Sequence, residues 1–409
     1  MIDVQQAVQL IRQASQPLET ESIAVVDALG RVTAGPVCAD LDAPPFDKSM
    51  MDGFAVAAAD ITAANTNFAV IDSLAAGQTP GQALRPGTAI QIMTGATLPP
   101  RADAVVMLED ASFDAAAKTV TIRATSVRPG QNILRQGSVF RRGNQLFAAG
   151  HRILAHDVGL LAEAGASPLI VRRIPSVAVI ATGNEICDPE EMPGPGKIRN
   201  SNGPLLVNLV RAQQGLPLYL GGVGDDEQEL ANACYRGMAA DVLILTGGVS
   251  TGMLDLVPRV LKSLNVEQVF HKVSLKPGKP VWFGLSQSGE HRCLVFGLPG
   301  NPVSSFVCFH LFVREGLAAL AGQDASGDPS QREAATRAYL TQAHEIRGDR
   351  PTYWPSRLQI DDGRATVQPL DWKGSADQRC LTRANCLAVF PEGNRTYSAN
   401  DLIEVRWLV

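Results

Sequence analysis

Val242-Leu-Ile-Leu245-Thr246-Gly247-Gly248 runs four apolar residues straight into a threonine and two glycines. A continuous apolar run leaves no face for water, so it reads as a strand buried on both sides. The glycines free the backbone to turn sharply at the strand's end. Upstream, Val177-Ala-Val-Ile-Ala181 runs in the same way into Thr182-Gly183. Helical patterns lie between the two, from Pro204 to Gln214 and from Glu227 to Ala239, and Val281-Trp-Phe283 and Cys293-Leu-Val-Phe296 follow as later strands. Apolar strands alternating with helices predict a parallel sheet covered on both faces, a doubly wound α/β domain. Ligands of such sheets bind beyond the carboxyl ends of the strands, where these glycine-rich loops fall.

Outward from this core the pattern changes. Residues 41–140 are mostly strands and turns, with Ala89-Ile-Gln-Ile-Met93, Ala104-Val-Val-Met-Leu108 and Thr119-Val-Thr-Ile122 separated by Pro and Gly. Residues 1–40 hold a helix starting near Asp3 and a turn-rich passage, and residues 141–173 look like a return connection. The two stretches together are expected to form one discontinuous connecting domain. The α/β domain is expected over 174–325. From 335 to 409 the chain returns to β, with Asp361-Asp362-Gly363 as a hairpin turn and Leu402-Ile-Glu-Val-Arg-Trp-Leu408 closing a small barrel. The fold class is therefore multidomain α/β plus β.

Composition narrows the function. A net charge of −5 over 409 residues argues against a nucleic-acid surface. Seven scattered cysteines, with no Cys-x-x-Cys pair, suit free thiols in a reducing compartment and give neither disulfides nor a zinc site. The N-terminus lacks the pattern of a signal peptide. The most apolar stretch, Phe306 to Val313, is far short of a membrane span and is interrupted by His310. A cytoplasmic protein with no membrane partner is expected.

Three loops look built for an anion. Thr246-Gly-Gly-Val-Ser250 can turn its backbone N–H groups toward phosphate. Lys276-Pro-Gly-Lys-Pro280 sets two ammonium groups on a stiffened loop. In Leu298-Pro-Gly-Asn-Pro302, Asn301 is a good N-cap and Pro302 a good first residue for a helix running through Val313. Singly, each is a common turn; jointly, at successive strand ends, they point to a site. Asp52, Glu185, Asp225, Asp226 and Asp255 supply carboxylates. One or two of them, shared with substrate phosphates, would suit magnesium. Capping or turn formation is the plainer role for Asp225 and Asp226. There is no Gly-x-Ser-x-Gly and no His-Glu-x-x-His, and the six histidines read as structural or exposed.

Pro-Pro-Phe-Asp-x-Ser-x-Met-Asp-Gly (44–53), Met-Thr-Gly-Ala (93–96), Gly-Gln-Asn-Ile (130–133), Thr-Gly-x-Glu (182–185), Gly-Gly-Val-Ser (247–250), Lys-Pro-Gly-Lys-Pro (276–280) and Leu-Pro-Gly-Asn-Pro-Val-Ser (298–304) occur in this order. Over nearly its whole length the chain resembles the molybdopterin molybdenumtransferase family, of the bacterial MoeA and gephyrin E-domain type. The resemblance implies an elongated homodimer whose site lies in a cleft between subunits. It implies insertion of molybdate into adenylylated molybdopterin with release of AMP, using Mg2+, and handover contacts with other cofactor-biosynthesis proteins or apo-molybdoenzymes. It also implies Asp52, Glu185, Asp255, one of Asp225 and Asp226, Lys276 and Lys279 as catalytic residues. Magnesium would fall to Asp52, Glu185 and Asp226. Substrate contacts would come from Thr94, Gly95, Thr182, Gly183, Gly247, Gly248, Ser250, Pro277, Gly278, Pro299, Asn301 and Pro302, with Arg350 and Ser375 from the C-terminal part.

Two positions depart from the family's pattern. Asn184 stands where many members have Asp, and Val139 replaces a carboxylate unless it is instead a buried strand residue in a shifted register. A non-catalytic molybdopterin-binding scaffold or carrier is the alternative reading. The retained acids and lysines count against it. The related adenylyltransferase is a third, and the flanking domains and the Asp52 motif count against that one.

Overall fold

The computed structural model describes residues 1–124, 126–249, 256–323 and 336–408. Val242–Thr246 and Ser176–Thr182 lie side by side and parallel near the middle of a six-stranded sheet. The strand order is Leu216–Val223, Ser176–Thr182, Val242–Thr246, His291–Leu298, Trp282–Ser288, Glu267–His271. The chain steps outward from Ser176–Thr182 to Leu216–Val223 and then crosses back to Val242–Thr246. The order therefore reverses between Thr182 and Thr246, the switch point at which an open α/β sheet forms its ligand crevice.

The sheet is not wholly parallel, as the alternation of strands and helices had suggested. Trp282–Ser288 and His291–Leu298 form an antiparallel hairpin, and Glu267–His271 pairs antiparallel with the former. Only a tight turn separates Ser288 from His291, too short for the crossover that parallel strands require. The strand Leu216–Val223 hides in a glycine-rich passage that shows no apolar alternation; it is an edge strand, exposed along much of its length.

Side chains alternate between the sheet's two faces. Val177, Val179, Val242, Ile244, Leu294 and Phe296 face one core, and Ala178, Ile180, Leu243, Leu245, Cys293 and Val295 the other. The first core is covered by the helix Asn202–Ala212 and by a helix running from Pro302 to Leu320. That helix is 19 residues long and apolar enough to span a membrane by composition, well beyond the Phe306–Val313 run seen in sequence. Most of it is buried because it is a core element. The N-terminal helix Val4–Ala14 packs on the same core through Val4, Ala7, Ile11 and Ala14. Asp3 caps it in a reciprocal box with Gln6, and each fully buried Val or Ile on that face stabilises by roughly 1.5–3 kcal/mol.

From there the chain leaves and returns. Thr20–Ile23 pairs antiparallel with Leu169–Arg172, and Val37–Cys38 with Gln145–Phe147. A small core of Ala28, Val37, Ile153, Leu161, Leu169 and Val171 closes over them. Between the outgoing and returning strands lies a second six-stranded sheet containing Gly53–Val56, Thr88–Ile92, Ala104–Met107 and Thr119–Ile122. At the other end, five strands close a barrel, Thr352–Asp361 and Arg364–Pro369 forming the expected hairpin. Its turn residues Asp362 and Gly363 both have positive φ, as a two-residue turn of this kind needs.

Asp241 fastens the returning segment to the α/β sheet. Its carboxylate accepts 2.7 Å bonds from both terminal nitrogens of Arg173 and bonds of 2.8 and 2.7 Å from the Ser176 N–H and hydroxyl. Burial alone would raise its pKa. Arg173 and Ser176 outweigh this, so the carboxyl is held below its ordinary value. A depressed pKa contributes stability that is present above the unfolded-state value and lost as pH falls through the folded one. Acid unfolding of the wild type should therefore steepen below about pH 4, and Asp241→Ala should flatten that limb while costing about 3–5 kcal/mol near neutrality. Denaturant melts across pH measure both.

Candidate functional site

The loop after Thr246 presses on the loop after Thr182. Gly247 has φ +98°, and a Cβ there would stand 2.4 Å from the Thr182 carbonyl oxygen. Only glycine permits this approach. The third loop joins through side chains: Asn202 Nδ2 donates to Thr246 Oγ1 at 2.9 Å and to the Gly300 carbonyl at 2.7 Å. Thr246 Oγ1 in turn donates to the Pro299 carbonyl at 3.2 Å, and the Ser305 hydroxyl also bonds that carbonyl. Thr182, Gly183, Gly247, Gly248 and Pro299 thus converge at the carboxyl edge of the sheet. Pro302 opens the long helix as expected. Asn301 does not cap it: its side chain is exposed and makes no capping bond, and its backbone carbonyl accepts from Ser305 N instead. Ser250 and Asp255 lie outside the described residues.

The acids separate by their partners. Asp226 accepts a 2.8 Å bond from Glu229 N and caps the helix Glu227–Gly237. Asp225 faces the Thr182–Glu185 loop, where its Oδ2 accepts from Asn184 N at 3.3 Å and its own N–H donates to Asn184 Oδ1 at 3.0 Å. The amide at Asn184 makes this exchange without a further negative charge beside Asp225. Glu185 folds back over Gly183, whose missing Cβ would lie 2.3 Å from Glu185 Oε2. Lys197, which the motifs did not single out, bonds the Asn184 carbonyl with its ammonium. Among the described residues, no three His, Cys, Asp or Glu side chains are grouped to hold a metal by themselves.

The lysine loop is wedged between two bodies. Gly278 (φ +115°) presses on the long helix, where a Cβ would meet Cys308 Sγ at 2.5 Å, and Pro277 beside it is buried. Lys276 bonds the barrel through its backbone, from its N–H to Pro351 O and from Tyr353 N–H to its carbonyl, both 2.8 Å. Arg350 reaches back to the Leu275 carbonyl at 3.2 Å. Asp349 is held below the usual carboxylate range by the Arg350 guanidinium first, with Lys279 adding to the effect. Lys276, Lys279 and Arg350 therefore share one patch. Ser375 lies at the third loop, its carbonyl accepting from Val303 N at 2.9 Å. Neither C-terminal residue announces this placement in sequence, since each depends on how the barrel docks.

Asp52 stands apart, on the second sheet. Its Oδ1 accepts from Thr94 N at 2.6 Å and from Thr94 Oγ1 at 2.8 Å, with Gly95 (φ +82°) completing the turn. The N–H bond first, and the hydroxyl second, hold this exposed carboxyl below its ordinary pKa. Among the described residues, no hydrogen bond or ion pair joins Asp52 to the α/β loops. Val139 is 63% exposed and so is not a buried strand residue.

Three joined strand-end loops, a cation patch and a separately held carboxylate would suit an anionic substrate, and comparison with known proteins gives the class. Residues 2–165 match the family described as "MoeA N-terminal region (domain I and II)", 178–319 "Probable molybdopterin binding domain", and 337–408 "MoeA C-terminal region (domain IV)". The chain is 32% identical to the molybdopterin molybdenumtransferase of Bacillus subtilis, over 99% of this chain and 93% of that one. It is also 32% identical to the enzyme of the same name from Staphylococcus epidermidis, over 99% and 95%. A molybdopterin biosynthesis MoeA protein from Pyrococcus horikosii has the same architecture, with TM-score 0.82 and 28% identity over 100% and 99% of the two chains. The class is that of molybdenum cofactor biosynthesis transferases. The chain belongs to the molybdopterin molybdenumtransferase family.

Thr94→Val should raise the Asp52 titration midpoint toward its ordinary value, because the hydroxyl bond goes and the N–H bond stays. A carboxyl-carbon NMR titration reads the shift, with little change in Tm expected at this exposed turn.

Proposed function

We propose that this chain inserts molybdate into adenylylated molybdopterin and releases AMP, with the substrate's phosphates lying across the glycine loops and the Lys276–Lys279–Arg350 patch. The observation that carries the reading is the convergence of three strand-end loops and that patch on one edge of the sheet. Cations held on a braced segment there meet phosphate charge with little reorganisation. Substrate contacts fall to Thr182, Gly183, Gly247, Gly248, Pro277, Gly278 and Pro299, with Arg350 and Ser375 reaching in from the barrel. Thr94 and Gly95 serve by holding Asp52.

Magnesium prefers one or two carboxylates completed by substrate oxygens. Glu185, on the loop after Thr182, and Asp225, on the loop after Val223 and bonded to Asn184, fit that demand, and they would bind the ion together with the substrate. Asp226 is the less suited of the adjacent pair, because one of its oxygens caps the helix Glu227–Gly237. Bound there, the ion would offset repulsion between the two acids and an anionic substrate. Asp52, held as an anion on the other sheet, is supplied by the second copy of a homodimer. The protein is assigned to the cytoplasm, where handover to apo-molybdoenzymes or other cofactor-biosynthesis proteins follows.

Asp52→Asn and Glu185→Gln should each leave Tm within a few degrees of wild type and abolish molybdate-dependent AMP release. After subunit exchange, mixing the two variants should restore part of the activity, because some heterodimers hold one intact site. Near-normal turnover in both variants would refute the assignment; a monomer by sedimentation, or no restoration, would refute the shared site.

The neighbouring aspartates should separate cleanly. Asp225→Asn should cost activity with little stability, whereas Asp226→Ala should cost about 1 kcal/mol of stability as a lost cap and keep turnover per folded molecule. AMP release and thermal melts on both variants decide the assignment.

A further inference from the structure

Away from the glycine loops, a cavity of about 190 Å3 opens where the connecting segments, the long helix and the barrel's last strand meet. None of the site loops lines it. Among the described residues its lining holds seven arginines against one acid, Glu315. Most of these arginines have partners. Arg12 pairs with Glu315, Arg31 with Glu21, Arg173 with Asp241 and Glu19, and Arg406 lies 3.6 Å from Glu404. Arg172 donates to the Leu18 carbonyl at 2.8 Å.

Arg152 differs. It is partly buried, and among the described residues its side chain makes no hydrogen bond or ion pair. Burial first, and the nearby charge of Arg314 second, lower its pKa. A guanidinium withdrawn from water beside a like charge, with no anion of its own, is costly to keep. His310 also lines the cavity; it is 8% exposed, and neither buried ring nitrogen has a partner among the described residues. Burial, with Arg314 beside it, pushes its pKa down to about 3, so the ring is neutral and offers one N–H donor. It sits in the one-turn π segment Phe309–Val313, a local widening of the helix often found at functional sites.

We propose that this cavity is a second anion site, taking a tetrahedral oxyanion of the phosphate, sulfate and molybdate class between Arg152 and His310. Each of these anions presents several acceptor oxygens, which match a guanidinium fork and an imidazole N–H. A volume below the about 300–1,000 Å3 typical of pockets for larger ligands suits one such ion with water rather than a nucleotide. Because the cavity walls come from three parts of the chain, an anion there would brace their packing.

The test titrates the full chain with inorganic phosphate, sulfate and molybdate in turn, holding ionic strength constant with chloride. Each should raise Tm saturably, as a ligand of the folded state does. Arg152→Gln should weaken this response at least tenfold while melting, in chloride alone, at or above the wild-type temperature, since its repulsion with Arg314 is gone. Lys276→Ala should keep the response, which separates this cavity from the proposed substrate patch. A full response in Arg152→Gln, its loss in Lys276→Ala, or a response no larger than chloride's would overturn the proposal. Crystals grown without oxyanions and soaked in molybdate give a reading that no variant's folding can obscure. An anomalous peak between Arg152 and His310 supports the site, and none there overturns it. The relative affinities of the three anions show whether the site favours the transferred metal's oxyanion or phosphate.

Discussion

The carbonyl oxygen of Thr182 and the α-carbon of Gly247 approach so closely that no side chain fits between them. Much of the functional edge follows from this contact. It brings the ends of two adjacent parallel strands together at the point where strand order reverses, and it removes the side chain that would otherwise fill the crevice. Asn202 and Thr246 then tie the third loop to the pair through bonds buried from water. Polar groups so placed cannot relax into solvent, which makes the loops a fixed surface rather than three mobile turns.

The barrel contributes to this edge without lying in the sheet. Its backbone bonds to Lys276 and its Arg350 side chain hold the lysine loop from one side, while Gly278 packs on the long helix from the other. The two lysines are thereby presented on a braced segment. Braced cations lose less freedom on binding an anion than those on a free loop. At the opposite corner, Asp241 performs the comparable task for the returning connection, with Arg173 and Ser176 sharing its carboxylate.

Charge is distributed in a corresponding way. Asp225, Glu185 and Lys197 cluster around the Asn184 peptide at the crevice, so acids and a cation share one rim. Asp52 is exposed and held anionic by Thr94 alone, a geometry that keeps its second oxygen's chemistry at the surface. The adjoining stretch leaves Phe46, Met50 and Met51 exposed. Val139, also exposed, adds no charge at this surface.

The sequence by itself determined the elements whose signal is local. Val242–Leu245 and Val177–Ala181 declared buried strands through uninterrupted apolar runs. Asp3 marked a helix start, and Asp362-Gly363 declared a hairpin turn. The ordered motifs carried the family. What only the tertiary structure decided were matters of distance between remote segments. It made the sheet mixed, hid an edge strand in a glycine-rich passage, and separated Asp225 at the crevice from Asp226 at a cap. It carried Arg350 and Ser375 to the loops and left Arg152 and His310 facing one cavity. The physical reason is the same throughout. Periodicity and capping act over three or four residues, whereas a carboxylate's role depends on which atoms the folded chain brings within about 3 Å of it.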